Sequence, residues 1–326
     1  MSKKFRTTSL APIFLFSNWR TGGTALAFSF RKLAECYVYT EPFNPTLRDP
    51  SVALNARTSS WKSKHPPNEY YFKEYEPLLM NPSSGFKLPE VESLPYVLGV
   101  TDEHEELKRY LSLLISYAHS LNKVPVFKFE QLEGSAGWVK ANFPDSVCVG
   151  ISRDRKHQYI SWLEQSTFGN GSLFFGLACA IINKNLSFFE CGPISICGQY
   201  DVQAFRKIFD VFKKRVVEQH EKIMDFCIDI SPETLETVDQ QLERVALSDS
   251  NRLHLWRDSL QNVRDTCKKI DSTQLTIERL EGHLTTLAER DELRGRLDVT
   301  LAERDELSLM FKRLRFLLPL LRFLKK

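Results

Sequence analysis

The sequence predicts an α/β fold in which a parallel sheet is flanked by helices, with a helical, coiled-coil extension at the C-terminal end. Three observations predict it. Short apolar runs recur at residues 13–16 (IFLF), 37–40 (YVYT), 124–129 (VPVFKF) and 147–151 (VCVGI), and such runs suit strands buried on both faces. Between them lie segments with apolar residues at helical spacing, an alternation that gives parallel strands joined by right-handed crossovers. Near the end, TLAERDEL at 286–293 recurs at 300–307, fourteen residues later. Fourteen is two heptads, the period of a coiled coil, though Arg or Asp falls at some seam positions and a single solvated helix is the alternative.

Composition narrows the class. A chain of 326 residues has room for one large α/β domain or two smaller ones. A net charge of +3 is too small to argue for nucleic acid, and no DNA- or RNA-binding motif is visible. The seven cysteines (36, 148, 179, 191, 197, 227 and 267) form no C-x-x-C pair. They suit free thiols in a reducing compartment, which points to the cytoplasm and away from a disulfide framework or zinc site. The opening MSKKFR before an apolar run imitates a signal peptide, but the run is short and Trp19-Arg20 interrupts it, so it reads as the first strand. No apolar stretch is long enough to cross a membrane.

The first strand runs into a turn at 17–23 (SNWRTGG) and then a helix from Thr24. Gly22 and Gly23 let the backbone turn sharply and aim its N–H groups into one concavity. The helix N-terminus adds partial positive charge. Arg20 supplies a full charge and a forked donor, and Thr21 and Thr24 supply hydroxyls. Together they make an anion site; an ordinary strand-to-helix turn accounts for the same residues equally well. The Walker A pattern is absent, because no Gly-Lys-Ser/Thr follows at the required distance.

Glu41 falls just past the second strand, with Pro42 blocking any continuation. In open α/β sheets that edge is the ligand crevice, where a carboxylate can act as a general base. A solvated loop acid is the plainer reading. Residues 42–100 are rich in Pro, Asn, Ser and aromatics, including Trp61, Tyr70, Tyr71, Phe72 and Tyr75. A segment this long reads as a substrate-side insertion or lid with short helices, though packing alone explains any one ring.

An amphipathic helix follows over 105–121, with Leu107, Tyr110, Leu111, Leu114, Tyr117, Ala118 and Leu121 on one face. The third strand carries Lys128 inside its apolar run. Ser135 is the expected N-cap of the helix bearing Trp138, Val139 and Phe143. Arg153 stands at the end of the fourth strand, and Ser161 lies eight residues on in the next helix. A hooked loop there would bring guanidinium and hydroxyl onto one phosphate; a basic turn and a surface serine are the alternative. The apolar run at 173–182 has no assignable period. From Val202 onward the chain reads as helical, with Phe205, Ile208, Phe209 and Phe212 in one stripe and a further helix opening at Ser231-Pro232. The expected divisions are an α/β domain at 1–265, with the insertion at 42–100 and a helical part at 200–265, then a coiled-coil helix at 266–310 and a basic amphipathic tail at 311–326. That tail threads six basic residues through Leu and Phe without an acid. It suits an anionic membrane surface or docking to a partner.

The ordered set resembles the sulfotransferase family that uses 3′-phosphoadenosine 5′-phosphosulfate (PAPS). Arg20-Thr21-Gly22-Gly23-Thr24 resembles the family's Arg/Lys-Ser/Thr-Gly-x-Thr loop for the 5′-phosphosulfate. Arg153-Asp154 with Ser161 resembles its Arg-Asp/Asn-Pro loop for the 3′-phosphate, with a departure at Arg155, where the family prefers Pro. Glu41 resembles the family's acidic residue after the second strand, and Lys128 the third-strand lysine of its carbohydrate and tyrosylprotein branches. The resemblance covers roughly residues 10 to 200. It implies a P-loop NTPase-like sulfotransferase fold and in-line sulfuryl transfer from PAPS to a hydroxyl of a glycan or other small acceptor, without a metal. Arg20 would then stabilise the leaving phosphate, Lys128 would neutralise the bridging oxygen, and Glu41 would deprotonate the acceptor. His157 ranks below Glu41 as the base, because it sits in the 3′-phosphate loop. Two other readings stay open: a P-loop kinase using ATP, disfavoured by the missing Walker lysine, and a non-catalytic scaffold acting through its coiled coil. A homo-oligomer through the C-terminal helix and peripheral attachment to the inner face of a membrane are the expected associations.

Overall fold

All four apolar runs become strands, and a fifth joins them. In a computed structural model, β1 (Ile13–Ser17), β2 (Cys36–Thr40), β3 (Val124–Phe129), β4 (Val147–Ser152) and β5 (Phe226–Asp229) form one parallel sheet in the order β2-β3-β1-β4-β5. The structure describes residues 10–17, 19, 21–57, 70–90, 98–130, 133–165, 180–184, 186, 191, 206–211, 214, 218 and 223–229. Every residue of the central β1 is buried, which is why it reads as unbroken hydrophobicity and not as an alternation.

The helices are α1 (Gly23–Arg31), α2 (Pro50–Asn55), α3 (Glu76–Leu79), α4 (Glu105–Ser120), α5 (Ala136–Asn142) and α6 (Arg155–Gln165). Strand residues alternate between the two faces. Ile13 and Leu15 of β1 pack with Leu26, Ala27 and Phe30 of α1 on one face. Phe14 and Phe16 pack with Leu111 and Leu114 of α4 and Trp138 of α5 on the other. The connection from β1 therefore leaves on one side of the sheet and the connection from its neighbour β3 on the opposite side. A crevice opens between two such strands at their C-terminal ends, the switch point where ligands bind in open α/β sheets.

Two sequence expectations are corrected. The part read as helical over 200–265 is helical at 206–211 but contains β5. Cys227 and Ile228 pair with Gly150 and Ile151 of β4, and a four-residue run carries no period that separates strand from helix. Ser135 stands before α5 without capping it; its Oγ instead accepts the N–H of Leu98 at 2.8 Å. Within the insertion, Tyr71, Phe72 and Tyr75 are core residues, all about 1% exposed or less. Arg31 holds that segment to α1 through the carbonyls of Tyr70 and Tyr71 and an ion pair with Glu74 at 2.7 Å. Trp61, the helix from Ser231-Pro232, the coiled coil at 266–310 and the tail at 311–326 lie outside the described residues, as does most of the run at 173–182. Cys36, Cys148, Cys191 and Cys227 are not in disulfides. No helix among the described residues is long and apolar enough to cross a membrane.

Gly23 shows how tightly α1 meets the sheet. A Cβ added there would sit 2.2 Å from Ser17 Oγ and 2.3 Å from Ser17 Cβ. Gly23→Ala is expected to lower the unfolding free energy by about 1–3 kcal/mol, the usual cost of overpacking. In urea titrations the double variant Ser17→Gly/Gly23→Ala should recover part of that loss. An unchanged midpoint in the single variant would contradict this close approach.

Candidate active site

The β1–α1 loop is fastened at both ends. Ser17 Oγ donates to the Phe129 carbonyl at 3.2 Å, joining the ends of β1 and β3. Gly22 takes φ +95°, the left-handed conformation open to glycine, and its carbonyl accepts the N–H of Leu26 at 3.1 Å. Thr21 and Thr24 are buried beside it. Arg20 lies outside the described residues. The Trp19 carbonyl accepts from Gln158 Nε2 at 2.8 Å and Trp162 Nε1 at 3.1 Å, and the two tryptophan rings meet at 5.9 Å. Loop and α6 are thus tied together. Since Ser17 pairs with Ile151, the two loops read from sequence as anion sites leave adjacent strands at one edge.

At the second loop, Asp154 caps α6. Its Oδ1 accepts the His157 N–H at 3.0 Å and lies 2.9 Å from His157 Nδ1. His157 is buried and committed to that cap. Arg153 and Ser161 are each 7% exposed. Arg155 is the first residue of α6, a position that proline also favours. The departure from the Arg-Asp/Asn-Pro pattern therefore leaves the helix start in place, with Arg155 bonded to Asp210 at 2.5 Å.

Between these loops and the insertion sits a lysine held by two carboxylates. Lys128 is 1% exposed; its Nζ pairs with Glu41 Oε1 at 3.0 Å and with Glu130 Oε1. Glu41 Oε1 also accepts from the Tyr71 hydroxyl at 2.5 Å, and Oε2 accepts from Asn44 Nδ2 at 2.8 Å. A side-chain hydrogen bond links Tyr71 onward to Thr24 in the first turn of α1. The backbone of Glu41 is in the left-handed region, φ +44°, which costs a non-glycine residue on the order of 1–3 kcal/mol. It is held there by its N–H on the Lys128 carbonyl and its carbonyl on the Asn44 N–H, each at 2.9 Å.

The two acids differ in electrostatics. Burial pulls the Glu41 carboxyl up, but the Lys128 charge and the hydrogen bonds from Tyr71, Asn44 and Lys128 hold it down at about 2. Burial and the nearby Glu41 charge push Glu130 up to about 7, with Lys128 only partly offsetting them. Burial disfavours the Lys128 ammonium, yet its two carboxylates outweigh this and raise it above the ordinary lysine value.

Stability should follow pH accordingly. Glu41 is depressed, so its contribution is present above about 4.5 and lost as pH falls toward 2. Glu130 is raised, so its contribution is full below about 4.5 and lost as pH rises through 7. The pair is expected to be most stabilising near pH 4.5–5, between those windows. In urea unfolding from about pH 4 to 8, Glu130→Gln should flatten the alkaline-side loss. An identical pH slope in parent and variant would contradict the assignment.

Sequence reasoning singled out Lys128 and Glu41, and the structure brings them together. It also adds Glu130, Tyr71 and Asn44. Glu130 had a legible signal, since two residues after Lys128 is the same face of an extended chain. Tyr71 had none, because it arrives from the insertion, thirty residues beyond Glu41. A small cavity of about 20 Å³, room for one water or one hydroxyl, is lined by Glu41, Pro42, Phe43, Phe129 and Glu130. A larger cleft of about 690 Å³ lies over the insertion, around Leu47, Arg48, Leu78, Phe86 and Leu88, and shares no lining residue with it. Among the described residues no group of three or more His, Cys, Asp or Glu side chains is placed to hold a metal ion. No family model, curated protein or solved structure matches the chain.

Proposed function

We propose that the chain is a PAPS-dependent sulfotransferase that moves a sulfuryl group to a hydroxyl of a glycan or other small acceptor. One observation carries this reading. A single edge of the parallel sheet gathers the Gly22-Gly23 loop, the Arg153–Ser161 segment and a buried lysine flanked by carboxylates. A donor with two separated anionic ends needs two anion sites, and those two loops leave neighbouring strands.

The protein's contributions are positioning and charge. Arg20, Thr21, Thr24 and the N–H groups after Gly22 hold the phosphosulfate end, where negative charge grows on the leaving phosphate. Arg153 and Ser161 hold the 3′-phosphate. Lys128 sits behind Gly23, where an added Cβ would lie 3.6 Å from its Cε, and neutralises the oxygen that bridges sulfur and phosphorus. A carboxylate of the Glu41/Glu130 pair receives the acceptor's proton. The P-loop NTPase-like sulfotransferase fold belongs to the same proposal; the strand order with its switch point between β1 and β3 supports it.

Calorimetry with adenosine 3′,5′-bisphosphate, the product nucleotide, tests the reading. Micromolar binding without Mg²⁺ is expected. Binding of Mg-ATP alone would replace it with the kinase reading, and binding of neither would favour the scaffold. We extend the proposal to the tail. Full chain, but not a chain stopped before Phe311, should co-sediment with anionic vesicles, less so at raised salt, since each basic residue near such a surface contributes about 1 kcal/mol. Equal pelleting of both chains would exclude a membrane role for residues 311–326.

A further inference from the structure

We propose that Glu130 is the group that takes the acceptor's proton, and that Glu41 is a positioning residue that holds Lys128 in place. This inference rests on the sulfotransferase reading and names the base within it.

The hydrogen bonds divide the labour. Both oxygens of Glu41 are occupied, Oε1 by Tyr71 and Lys128 and Oε2 by Asn44. A carboxylate with three donors on it is a weak base, because each donor favours the charged form. Its strained backbone and its N–H on the Lys128 carbonyl fix it against β3. Glu130 stands at the end of β3, pairs with Lys128 through Oε1, and is more exposed, 26% against 16% for Glu41. Both acids line the small cavity, whose remaining walls are Pro42, Phe43 and Phe129. A hydroxyl placed there meets a dry wall and the freer carboxylate.

The charged and titratable groups acting on Glu130 are Lys128, Glu41 and Tyr71. Glu41 disfavours the ionised form of Glu130, and Lys128 favours it. The outcome, near 7, is where a general base works best. The chemical step balances as follows. The acceptor O–H bond breaks and its proton goes to Glu130, while the oxygen forms a bond to sulfur. The bond from sulfur to the bridging phosphate oxygen breaks, and that oxygen keeps the electron pair beside Lys128. Glu130 then returns its proton to solvent, and adenosine 3′,5′-bisphosphate leaves.

The test uses the full chain, with Glu130→Gln, Glu130→Asp and Glu41→Gln beside the parent. Carboxyl NMR of glutamate-labelled protein should show the Glu130 carboxyl titrating near neutral pH in the parent. It should be missing in Glu130→Gln and moved to lower pH in Glu41→Gln, which lacks the negative neighbour. PAPS turnover with water as acceptor should rise with the same inflection in the parent. Glu130→Gln should bind the bisphosphate as the parent does, which shows that it is folded, yet turn over roughly a hundredfold or more slowly. Glu130→Asp should recover part of the rate, and Glu41→Gln should keep an inflection at lower pH. Full turnover by Glu130→Gln with bisphosphate binding intact overturns this assignment alone, as does loss of the inflection only in Glu41→Gln. Failure of the parent to bind the bisphosphate overturns the sulfotransferase reading, and the assignment with it.

Discussion

Lys128→Met is expected to lower the unfolding free energy by roughly 3–5 kcal/mol at pH 8, the cost of breaking a buried ion pair by removing one partner. Lys128 is 1% exposed and is the cation shared by Glu41 and Glu130. Its removal leaves two carboxylates facing each other in a site walled by Phe43 and Phe129. Like charges at close range raise both acids above their unfolded values. Stability in the variant is then full below about pH 4.5 and falls as pH rises. The loss should therefore shrink at pH 5 and persist at pH 8. The double variant Lys128→Met/Glu41→Gln should cost less than the sum of its parts, because one of the opposed charges is gone. Turnover should fall by about a hundred- to a thousandfold, as when a single donor to a developing oxyanion is removed. Chemical denaturation at the two pH values, run beside PAPS turnover, separates the effects. Equal stability of parent and Lys128→Met at pH 8 would rule out a shared, buried cation.

Much of the scaffold was legible because its signals are local. The runs that became β1, β2, β3 and β4 are bounded by glycine, proline or helical spacing, and the observed strands differ from them by a residue at most. A lysine inside a buried apolar strand was a conspicuous signal, since an ammonium survives there only with partners. Those partners were less legible. Glu41 was visible at a strand end, but its left-handed backbone and its three donors depend on residues brought in by the fold. Tyr71 looked like one aromatic among several; only the packing of the insertion against β2 aims its hydroxyl at Glu41, while its carbonyl accepts from Thr40 Oγ1 at 2.6 Å. β5 stayed hidden because a four-residue run is indistinguishable by period from a turn of helix.

Arg153→Ala is expected to weaken adenosine 3′,5′-bisphosphate binding by about ten- to a hundredfold, since a charged hydrogen bond to phosphate contributes about 1.5–3 kcal/mol. The neighbouring Asp154 provides an internal control. Its carboxylate caps α6 through the His157 N–H, so Asp154→Ala should cost about 0.5–2 kcal/mol of stability and change nucleotide affinity far less. Arg153→Lys restores the charge without the planar fork and should recover only part of the affinity. Ser161→Ala removes one neutral donor and should weaken binding by up to about tenfold. Raised salt should blunt the Arg153 effect less than it would at an exposed site, because Arg153 is 7% exposed and buried charges are weakly screened. The measurement is calorimetric affinity for the bisphosphate, with adenosine 5′-phosphate as the ligand lacking the 3′-phosphate. Parent and Arg153→Ala should bind that shorter ligand alike. If Arg153→Ala and Ser161→Ala both bind the bisphosphate as tightly as the parent, this end of the crevice holds no phosphate, and the two-anion reading of the sheet edge is lost with it.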